Sequence, residues 1–400
     1  MHFSEQISSY GKVSARETRS PSAARILQSR AMIIHKIALN GFRNYEWETA
    51  DFSSRTNVIT GENAQGKTNL LEAVYLLSSG KSFRTRFDRE LIGFDFSEAE
   101  ILAEVFSHER EQSIRIRMSP GQAKRITVNG VRKTATELSE TVNTVLFCPD
   151  DLNLIKDGAA VRRKMMDQAI SQIRPKYAAL LTEFNRLYEH KTRILRDWRE
   201  KPSLLDTLDS FSDALCRVSA QMIRYRASYM SRLNDAVKPI HADFSGKGEE
   251  IDLLYHTVST VKDPFAPAKE IYYDICDHQE KHRQAELDSA QCLTGAHKDD
   301  IEILINGRSA RSFASQGQTR TAALSVKLAE REIILQETGE YPILLLDDVL
   351  SELDEKRQEF VLNRIGGGQT LITCCEDTDI SGRTGGKVFS VNGGRIRECI

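Results

Sequence analysis

A glycine-rich loop that begins at Gly61 constrains this chain more than any other stretch of its sequence. In order, the loop consists of Gly61, Glu62, Asn63, Ala64, Gln65, Gly66, Lys67 and Thr68. It matches the pattern G-x-x-x-x-G-K-[ST], in which backbone N–H groups surround phosphate oxygens. A β-prone run, residues 57–60, precedes the loop, and apolar residues at helical spacing follow it. A chance glycine turn would not need this context, so the stretch predicts binding of a nucleoside triphosphate at a helix N-terminus.

Two side chains of the loop carry the expected chemistry. Lys67 supplies a mobile positive charge for the β- and γ-phosphates. The Thr68 hydroxyl is a hard oxygen ligand that suits Mg²⁺. We therefore expect residues 61–68 to bind the nucleotide, Lys67 to act in catalysis and Thr68 to be a metal ligand.

An apolar run that ends in two carboxylates supplies the second half of the expected site. Residues 343–346 are all apolar, and Asp347 and Asp348 follow directly. Burying carboxylates at the end of such a strand is costly unless they have cationic partners. We expect Asp347 to hold Mg²⁺, and Asp348 to orient and deprotonate the attacking water as the catalytic base. The alternative, an exposed pair of aspartates at a strand end, explains neither the apolar run nor its partnership with Lys67.

Composition bounds the class of protein. Charged residues make up 28% of the chain and hydrophobic residues 40%, which is ordinary for a soluble globular protein. The formal net charge is -2, so a DNA-binding surface has to be a local basic patch. The seven cysteines include no C-x-x-C pair, which favours reduced thiols and a cytoplasmic location. No apolar run reaches membrane-spanning length, so we expect no membrane partner.

The glycine-rich loop and the acidic strand lie almost the whole chain apart, which predicts a nucleotide-binding head split by an insertion. The expected divisions are a disordered tail or start-site extension (1–31), the N-terminal part of the head (32–152), a helical coiled-coil arm (153–245) and the C-terminal part of the head (246–400). The tail is rich in Ser and Arg and lacks the apolar core of a secretory signal.

The insertion shows a heptad rhythm in two halves. Apolar residues alternate at gaps of three and four from Tyr177 to Trp198, and again from Leu204 to Tyr229, with Pro202 and Ser203 between them. This pattern predicts an antiparallel coiled-coil hairpin, in which Lys191 on the seam would fix the register. Two ordinary amphipathic helices packed on a globular core are the alternative.

A second short motif opens the helix that leads into the acidic strand. Ser315-Gln316-Gly317-Gln318 resembles the signature sequence of ABC-type ATPases, usually L-S-G-G-Q, with Gln316 in place of the first glycine. The resemblance implies that Ser315, Gly317 and Gln318 contact the nucleotide held by a second subunit. Residues 351–354 similarly resemble the D-loop of those proteins.

Together the motifs resemble the RecF family of bacterial DNA replication and repair proteins, which are SMC-like ABC-type ATPases. The motifs that carry the resemblance are Phe42-Arg43-Asn44-Tyr45, His297-Lys298-Asp299-Asp300 and residues 61–68, 79–84, 147–152, 315–320 and 346–354. They run in order from residue 32 to about residue 395.

The resemblance implies a fold, a cofactor set and partners. The fold is an α/β ABC-type head with a split nucleotide-binding domain and an inserted helical arm. The implied cofactors are ATP and Mg²⁺, with weak DNA-dependent ATP hydrolysis and an ATP-dependent homodimer. The implied partners are double-stranded and gapped DNA, together with the mediators RecO and RecR, which load the recombinase RecA at single-stranded gaps.

Several positions depart from the general ABC pattern. Asp348 stands where a glutamate is usual, Thr373 lies near the place of a switch histidine, and no glutamine occurs around Pro149 and Asp150. These three departures from the ABC pattern agree with slow hydrolysis of ATP. The sequence leaves His297 open between a structural histidine and a nucleotide contact.

Two basic clusters are candidates for DNA contact. One is the turn that bears Lys81, Arg84 and Arg86, and the other is the row Lys191, Arg193, Arg196 and Arg199 in the insertion. A solvated helix face is the alternative for the second cluster. No base-reading motif is present, so we expect recognition of the DNA backbone and shape.

Two other functions remain open. A transporter nucleotide-binding subunit fits the ATPase motifs, but the coiled-coil insertion argues against it. A nucleotide-gated scaffold that mainly recruits proteins, with DNA secondary, belongs to a different functional class.

Overall fold

The computed structural model describes residues 31–246, 248–375 and 380–399. The tail expected over residues 1–31 therefore lies outside the described residues, apart from Ala31. That residue is buried and forms an isolated parallel bridge with Tyr341.

Within these ranges the chain forms two six-stranded sheets, a three-stranded sheet and a layer of helices. The strands are β1 (Ile33–Phe42), β2 (Tyr45–Asp51), β3 (Thr56–Thr60), β4 (Ala99–Ser107), β5 (Arg110–Met118), β6 (Arg125–Val128), β7 (Val131–Lys133), β8 (Thr144–Phe147), β9 (Ile251–His256), β10 (Asp300–Ile305), β11 (Arg308–Ser309), β12 (Ile343–Leu346), β13 (Thr370–Cys374), β14 (Lys387–Asn392) and β15 (Arg395–Cys399). The helices are α1 (Lys67–Ser79), α2 (Ala135–Leu138), α3 (Ala159–Ile173), α4 (Pro175–Asp197), α5 (Leu205–Phe244), α6 (Ala268–Ser289), α7 (Ala310–Phe313), α8 (Gln316–Thr338), α9 (Glu355–Arg364) and α10 (Ile380–Thr384).

The first sheet has the order β15-β14-β3-β13-β12-β8; four of its five strand pairings are parallel, and the pairing of β14 with β15 is antiparallel. All four residues of β12 are buried, because a parallel sheet covered on both faces needs continuous apolar strands. Parallel strands end at the same edge of a sheet. The glycine-rich loop after β3 and the carboxylates after β12 therefore meet at one edge.

The second sheet is antiparallel and has the order β2-β1-β4-β5-β6-β7. Asn129 and Gly130 join β6 to β7, and both residues have positive φ, as a tight hairpin turn requires. Helix α1 shares one hydrophobic core with both sheets, and that core includes Leu71 of the helix, Ile101 of β4 and Leu371 of β13. This packing holds the helix that follows the glycine-rich loop in a fixed position.

The helical insertion is confirmed, and α4 and α5 form the predicted helical hairpin. A third helix, α6, packs along this pair, so the hairpin is part of a broader helical layer. The seam residue Lys191 is fully buried and points at α6, where its Nζ lies 2.8 Å from Glu286 Oε2 and donates to Gln279 Oε1 at 2.6 Å. The apolar residues of α5 continue past the seam and bury Ile271 and Ile275 of α6. Lys191 therefore belongs to a core ion pair, and neither the DNA contact nor the alternative of a solvated helix face holds for this residue.

Packing also groups residues 251–305 with the helical layer. Strands β9 and β10 and helix α6 share its hydrophobic core, through residues such as Leu253, Ile271 and Ile303. The sequence-based division placed this segment in the head because it follows the arm. Its apolar side chains instead cover α5.

Helix α8 lies between the two halves of the molecule. Val326 and Ile333 belong to the core of the helical layer, whereas Leu324 and Ile334 pack with Leu344 of β12. Among the described residues, no helix combines the length and the apolarity that crossing a bilayer requires.

Candidate nucleotide site

The glycine-rich loop curls between β3 and α1, and two of its glycines are required by geometry. Gly61 has φ of 150° and Gly66 has φ of 125°, a region that favours glycine. A Cβ on Gly61 would lie 2.2 Å from the carbonyl oxygen of Val391, and a Cβ on Gly66 would lie 2.8 Å from Asn44 Nδ2. The loop conformation therefore depends on both glycines.

Lys67 points back into the loop. Its Nζ donates to the carbonyl oxygens of Gly61 at 2.7 Å and Glu62 at 3.1 Å, and it lies 3.9 Å from Cys375 Sγ. The residue is only 4% exposed. The predicted cation is thus held at the loop, where a short movement of its flexible stem carries it onto a bound phosphate.

Thr68 and Asp347 form a pair of hard oxygen donors at the ends of α1 and β12. The Thr68 hydroxyl donates to Asp347 Oδ1 at 2.9 Å. Burial raises the pKa of the Asp347 carboxyl, and its hydrogen bonds from Thr68 and Thr373 oppose that rise. A buried carboxylate beside a hydroxyl suits a divalent cation, which would offset the cost of burying the charge.

Thr373 connects the two aspartates. Its hydroxyl donates to Asp347 Oδ1 at 2.9 Å and accepts a hydrogen bond from the backbone N–H of Asp348 at 2.8 Å. The sequence predicts that Thr373 lies near a switch position but indicates no role for its side chain. Only the pairing of β13 beside β12 reveals the contact.

Asp348 adopts a left-handed backbone conformation, with φ of 51°. This conformation costs a non-glycine residue roughly 1 kcal/mol or more. Such backbone strain is typical of functional sites. The Oδ1 atom of Asp348 is buried and has no hydrogen-bond partner among the described residues. An orphaned carboxylate oxygen at this position fits a catalytic base that acts on a bound water.

A cavity of about 300 Å³ joins these parts. Its lining consists of Asn63, Ala64, Gly66, Lys67, Thr68, Asn69, Arg84 and Asp348. The cradle of the loop, the oxygen pair of Thr68 and Asp347, and the unpartnered Asp348 oxygen together fit a triphosphate with a divalent cation. A divalent cation in such a site neutralises phosphate charge and aligns the phosphate oxygens.

Arg84 belongs to this cavity, although the sequence suggested a DNA contact. Its Nη1 donates to Asn69 Oδ1 at 2.7 Å and lies 3.7 Å from Glu72 Oε2. Arg84 lies at the cavity because the segment after α1 turns back over the start of that helix. The neighbouring Lys81 and Arg86 are exposed, and Arg86 forms a surface ion pair with Glu189.

The turn between β1 and β2 supports the loop. From the sequence, this turn contributes only to the family resemblance, and no contact with the loop is predicted for it. Asn44 Nδ2 donates to the carbonyl oxygen of Gln65, and the Tyr45 hydroxyl donates to that of Gly66, both at 2.8 Å. Arg43 donates to both carboxylate oxygens of the buried Glu72 in α1. The bidentate ion pair fixes the turn to the helix.

The signature-like turn lies outside this cavity. Ser315 caps α8: its Oγ accepts from the backbone N–H of Gln318 at 3.2 Å, while its own N–H donates to Gln318 Oε1 at 2.8 Å. Gly317 presents its carbonyl oxygen to Arg357 at 3.1 Å. Ser315 is exposed, and neither it nor Gly317 lines the cavity at the phosphate loop within the described part of the chain.

The signature-like turn and the D-loop-like residues form one surface. Arg320 of α8 donates to the carbonyl oxygen of Glu352 at 2.6 Å. Asp354 caps α9 and pairs with Arg357, which also reaches Gly317. Ser351 in turn donates to the carbonyl oxygen of Asp348 at 2.6 Å, so this surface is linked to the residue predicted to be the catalytic base.

His297 proves to be structural. It is largely buried, its Nε2–H donates to the carbonyl oxygen of Cys292 at 2.9 Å, and its ring packs against Tyr188 at 4.6 Å. Burial lowers the pKa of this imidazole to about 4, so it is neutral near pH 7. The adjacent carboxylates Asp299 and Asp300 bind Arg226 and Arg162.

This fold and this site define the head of an SMC-like ABC-type ATPase. The family model described as "RecF/RecN/SMC N terminal domain" matches residues 33–383. The chain is 38% identical to the DNA replication and repair protein RecF of Clostridium acetobutylicum, over 92% of this chain and 100% of that protein. It is 39% identical to RecF of Bacillus subtilis, over 86% of this chain and 93% of that protein. The chain belongs to the RecF family of DNA replication and repair proteins.

Solved structures agree with this assignment. The recombination mediator protein RecF of the RecFOR pathway, determined as RecF-ATPrS, superposes with a TM-score of 0.87 at 33% identity, over 93% of this chain and 100% of that chain. Its RecF-ATP form gives a TM-score of 0.85 at 34% identity, over 93% of this chain and 99% of that chain. The Smc head of Pyrococcus furiosus shares the fold, with a TM-score of 0.53 at 18% identity, over 92% of this chain and 96% of that chain. Family membership removes the transporter subunit as an interpretation.

Proposed function

We propose that this chain is a DNA-clamping ATPase of recombinational repair, which binds ATP and Mg²⁺ at the phosphate loop and dimerises on gapped DNA. The observation that carries the proposal is that Lys67, Thr68 and Asp348 line one cavity and that Thr68 hydrogen-bonds Asp347 at its edge. These residues come from sequence segments almost 280 positions apart, since Thr68 and Asp347 are separated by 279 residues. Such an arrangement supports phosphoryl-transfer chemistry.

The proposed division of labour follows from the contacts. With nucleotide bound, Lys67 would exchange the carbonyl oxygens of the loop for β- and γ-phosphate oxygens, and Thr68 and Asp347 would hold the metal ion. Asp348 accepts the proton of the attacking water through its unpartnered Oδ1. Thr373 positions both carboxylates. Arg84 adds a second cation at the cavity, where it offsets the negative charge of the triphosphate.

Weak hydrolysis is supported by the same geometry. Thr373 occupies the place of a switch histidine and uses its hydroxyl on the two aspartates. A threonine hydroxyl does not titrate near neutral pH, so it offers no proton shuttle. The shorter Asp348 side chain leaves more distance for a water to bridge. Slow ATP hydrolysis suits a protein in which the lifetime of the ATP-bound state sets how long the protein remains active.

Dimerisation through the signature-like turn is supported by its position. Ser315 lies at an exposed helix N-terminus, where backbone N–H groups and the helix dipole favour an anion. Because the turn does not line its own chain's cavity, the γ-phosphate it contacts is proposed to be the partner's. The D-loop-like residues on the same surface would lie at that interface.

DNA and protein partners complete the proposal. The exposed cations Lys81, Arg86, Arg193 and Arg199 are candidates for phosphate contacts, since each is on the surface of the structure. The solved relatives are described as recombination mediators of the RecFOR pathway. We infer that this chain likewise works with RecO and RecR to load RecA at single-stranded gaps.

The test uses the full chain with Asp348→Asn. The variant should bind ATP as tightly as the parent but hydrolyse it roughly 10²-fold or more slowly, the usual effect of losing a general base. Its ATP-bound dimer should therefore persist in light scattering, whereas ADP and nucleotide-free samples stay monomeric. Asp206→Asn, a change at an exposed position of α5, is the matched control.

Two outcomes would contradict the proposal. Turnover of Asp348→Asn at the parental rate would move the catalytic base elsewhere. An ATP-dependent dimer that binds gapped DNA no better with ATP than without it would favour the nucleotide-gated scaffold instead.

A further inference from the structure

The side chain of Glu249 links the helical layer to the signature-like turn. Glu249 follows α5 and precedes β9, and its Oε1 accepts a hydrogen bond from Gln318 Nε2 at 2.8 Å. Its other oxygen, Oε2, lies 3.4 Å from Nε2 of His241, a fully buried residue of α5. The chemistry at the phosphate loop uses neither Glu249 nor His241. This half-buried carboxylate therefore lies between the core of α5 and the first turn of α8.

The position of Glu249 is fixed by the backbone beside it. The backbone N–H of Glu250 donates to Asn306 Oδ1 at 2.8 Å, and the carbonyl oxygen of Glu250 accepts from the backbone N–H of Asn306 at 2.9 Å. His241 also contacts α8, where its Nδ1 lies 3.3 Å from Ser325 Oγ. The carboxylate is thus presented to the signature-like turn from a segment that is already bonded to its neighbours.

The side-chain amide of Gln318 is occupied at both ends. Its Oε1 accepts from the backbone N–H of Ser315 at 2.8 Å, while its Nε2 donates to Glu249. In return, Ser315 Oγ accepts from the backbone N–H of Gln318 at 3.2 Å, which completes a capping box. A glutamine amide can flip and exchange its oxygen with its nitrogen, but a carboxylate only accepts hydrogen bonds. Glu249 therefore holds the amide with its oxygen toward Ser315.

The capping box leaves three donors of the turn available to an anion. Ser315 Oγ accepts within the box, so its own hydrogen can be donated to a ligand. The backbone N–H groups of Gln316 and Gly317 occupy the first two helical positions, where no partner exists within the helix. Without the box, the Ser315 side chain would rotate among its rotamers and its hydroxyl would point elsewhere. The orientation of Gln318 therefore decides whether the three donors converge.

We propose that Glu249 is a positioning residue for the signature-like turn, which holds Gln318 so that Ser315 presents its hydroxyl to the γ-phosphate of the partner subunit's nucleotide. The inference rests on the proposed function, because it requires the ATP-dependent dimer. It deepens that function by assigning to a side chain beside the helical layer the task of preparing the turn for the nucleotide across the interface. Glu249 acts through Gln318 and is not itself a ligand of the phosphate.

Sedimentation of the full chain with ATPγS and Mg²⁺ tests the assignment through the dissociation constant of the dimer. Glu249→Ala removes the acceptor and should weaken the dimer roughly tenfold, as expected for a lost hydrogen bond to a charged group. Nucleotide binding to its monomer should stay parental, because Glu249 does not line the phosphate-loop cavity. Glu249→Gln keeps an acceptor oxygen and should retain most of the dimer affinity. Glu250→Ala, at the exposed next position, is the matched control and should dimerise like the parent.

Exchanging the two side chains gives a sharper test. Gln318→Glu alone places a second carboxylate against Glu249 and should weaken the dimer. Glutamate at this helical position still completes a capping box, so adding Glu249→Gln restores the hydrogen bond with donor and acceptor exchanged. The double variant should therefore recover most of the dimer affinity that Gln318→Glu loses. If Glu249→Ala unfolds at a lower urea concentration than the parent, this recovery decides the question.

The outcomes separate this inference from the proposed function. A parental dimer constant for Glu249→Ala would overturn the inference and leave the proposed dimer standing. Equal weakening by Glu249→Ala and Glu250→Ala, or loss of nucleotide binding by the Glu249→Ala monomer, would show that the segment has only a structural role. A double variant as weak as Gln318→Glu would show that the contact between the two side chains does not position the turn. A parent chain that stays monomeric with ATPγS would overturn the proposed dimer together with this inference.

Discussion

Thr373 illustrates how much a single hydroxyl contributes to this site. It donates to Asp347 and accepts from the backbone of Asp348, so one side chain fixes the proposed metal ligand and the proposed base together. The residue is fully buried, and these bonds have no competition from solvent. Its effect on catalysis is indirect, because it acts through the two aspartates.

We expect Thr373→Val to reduce ATP turnover about tenfold while ATP binding without metal stays unchanged. The substitution keeps the side-chain shape but leaves the Asp348 N–H unpaired and removes a hydrogen bond to Asp347. A lost buried hydrogen bond with an unsatisfied partner costs about 1–3 kcal/mol. The measurement is steady-state turnover together with nucleotide binding in the presence of a chelator.

Thr370→Val is the matched control for that change. Thr370 lies on the same strand, is also fully buried, and its Oγ1 has no hydrogen-bond partner among the described residues. The control should keep parental turnover and lose no stability. Equal effects from both variants would mean that the strand tolerates no valine at all, and that Thr373 has no special role.

At the scale of the element, the helical layer depends on a buried ion pair that links α4 to α6. Lys191 and Glu286 are almost completely buried, and Glu286 also accepts the backbone N–H groups of Leu293 and Thr294. A buried carboxylate that loses its cationic partner is strongly destabilising. The pair therefore holds α6 against the hairpin.

We expect Lys191→Met to lower the free energy of unfolding by about 3–5 kcal/mol, because it keeps the side-chain volume but strands the Glu286 charge. Arg196→Ala removes one partner of an exposed pair with Asp197, which water screens, and should leave the free energy of unfolding nearly unchanged. Urea unfolding followed by circular dichroism measures both. If the two variants unfold at the same denaturant concentration, Lys191 does not stabilise the layer.

The contrast between these elements shows what sequence patterns capture. The glycine-rich loop, the acidic strand and the hairpin are local patterns, and the structure forms all three. The role of Lys191 could not be predicted, because its partner Glu286 lies 95 residues further along the chain. The same holds for Thr373, whose contacts arise from strand pairing alone. The position of Arg84 at the cavity could not be predicted either, because a basic turn near an aromatic residue has the same sequence pattern at a DNA surface and at a nucleotide site.

At the scale of the whole molecule, α8 connects the separate parts. It begins at the signature-like turn, packs on the helical layer and on β12, and ends shortly before that strand starts. Arg320 near its start contacts the D-loop-like Glu352. A dimer that closes on Ser315 would therefore press on a helix that reaches both halves of each chain. Through this helix, the proposed ATP-dependent dimerisation would act directly on the helical layer.

The last prediction concerns Ser315 and tests that assembly. We expect Ser315→Arg monomers to bind ATP normally but to fail in ATP-dependent dimerisation, since a bulky cation would fill the space at the α8 N-terminus where the partner's γ-phosphate must approach. The exposed Ser312→Arg nearby tests whether added charge alone has this effect, and it should dimerise.

Mixing sharpens the result. A Ser315→Arg chain and a Lys67→Ala chain together form one site that contains both lesions and one site with an intact loop and an intact signature turn. Each variant alone should be inactive, and the mixture should recover part of the ATPase activity. Normal dimerisation of Ser315→Arg with ATP would show that the turn does not act across subunits, and loss of ATP binding in its monomer would show that it serves its own chain.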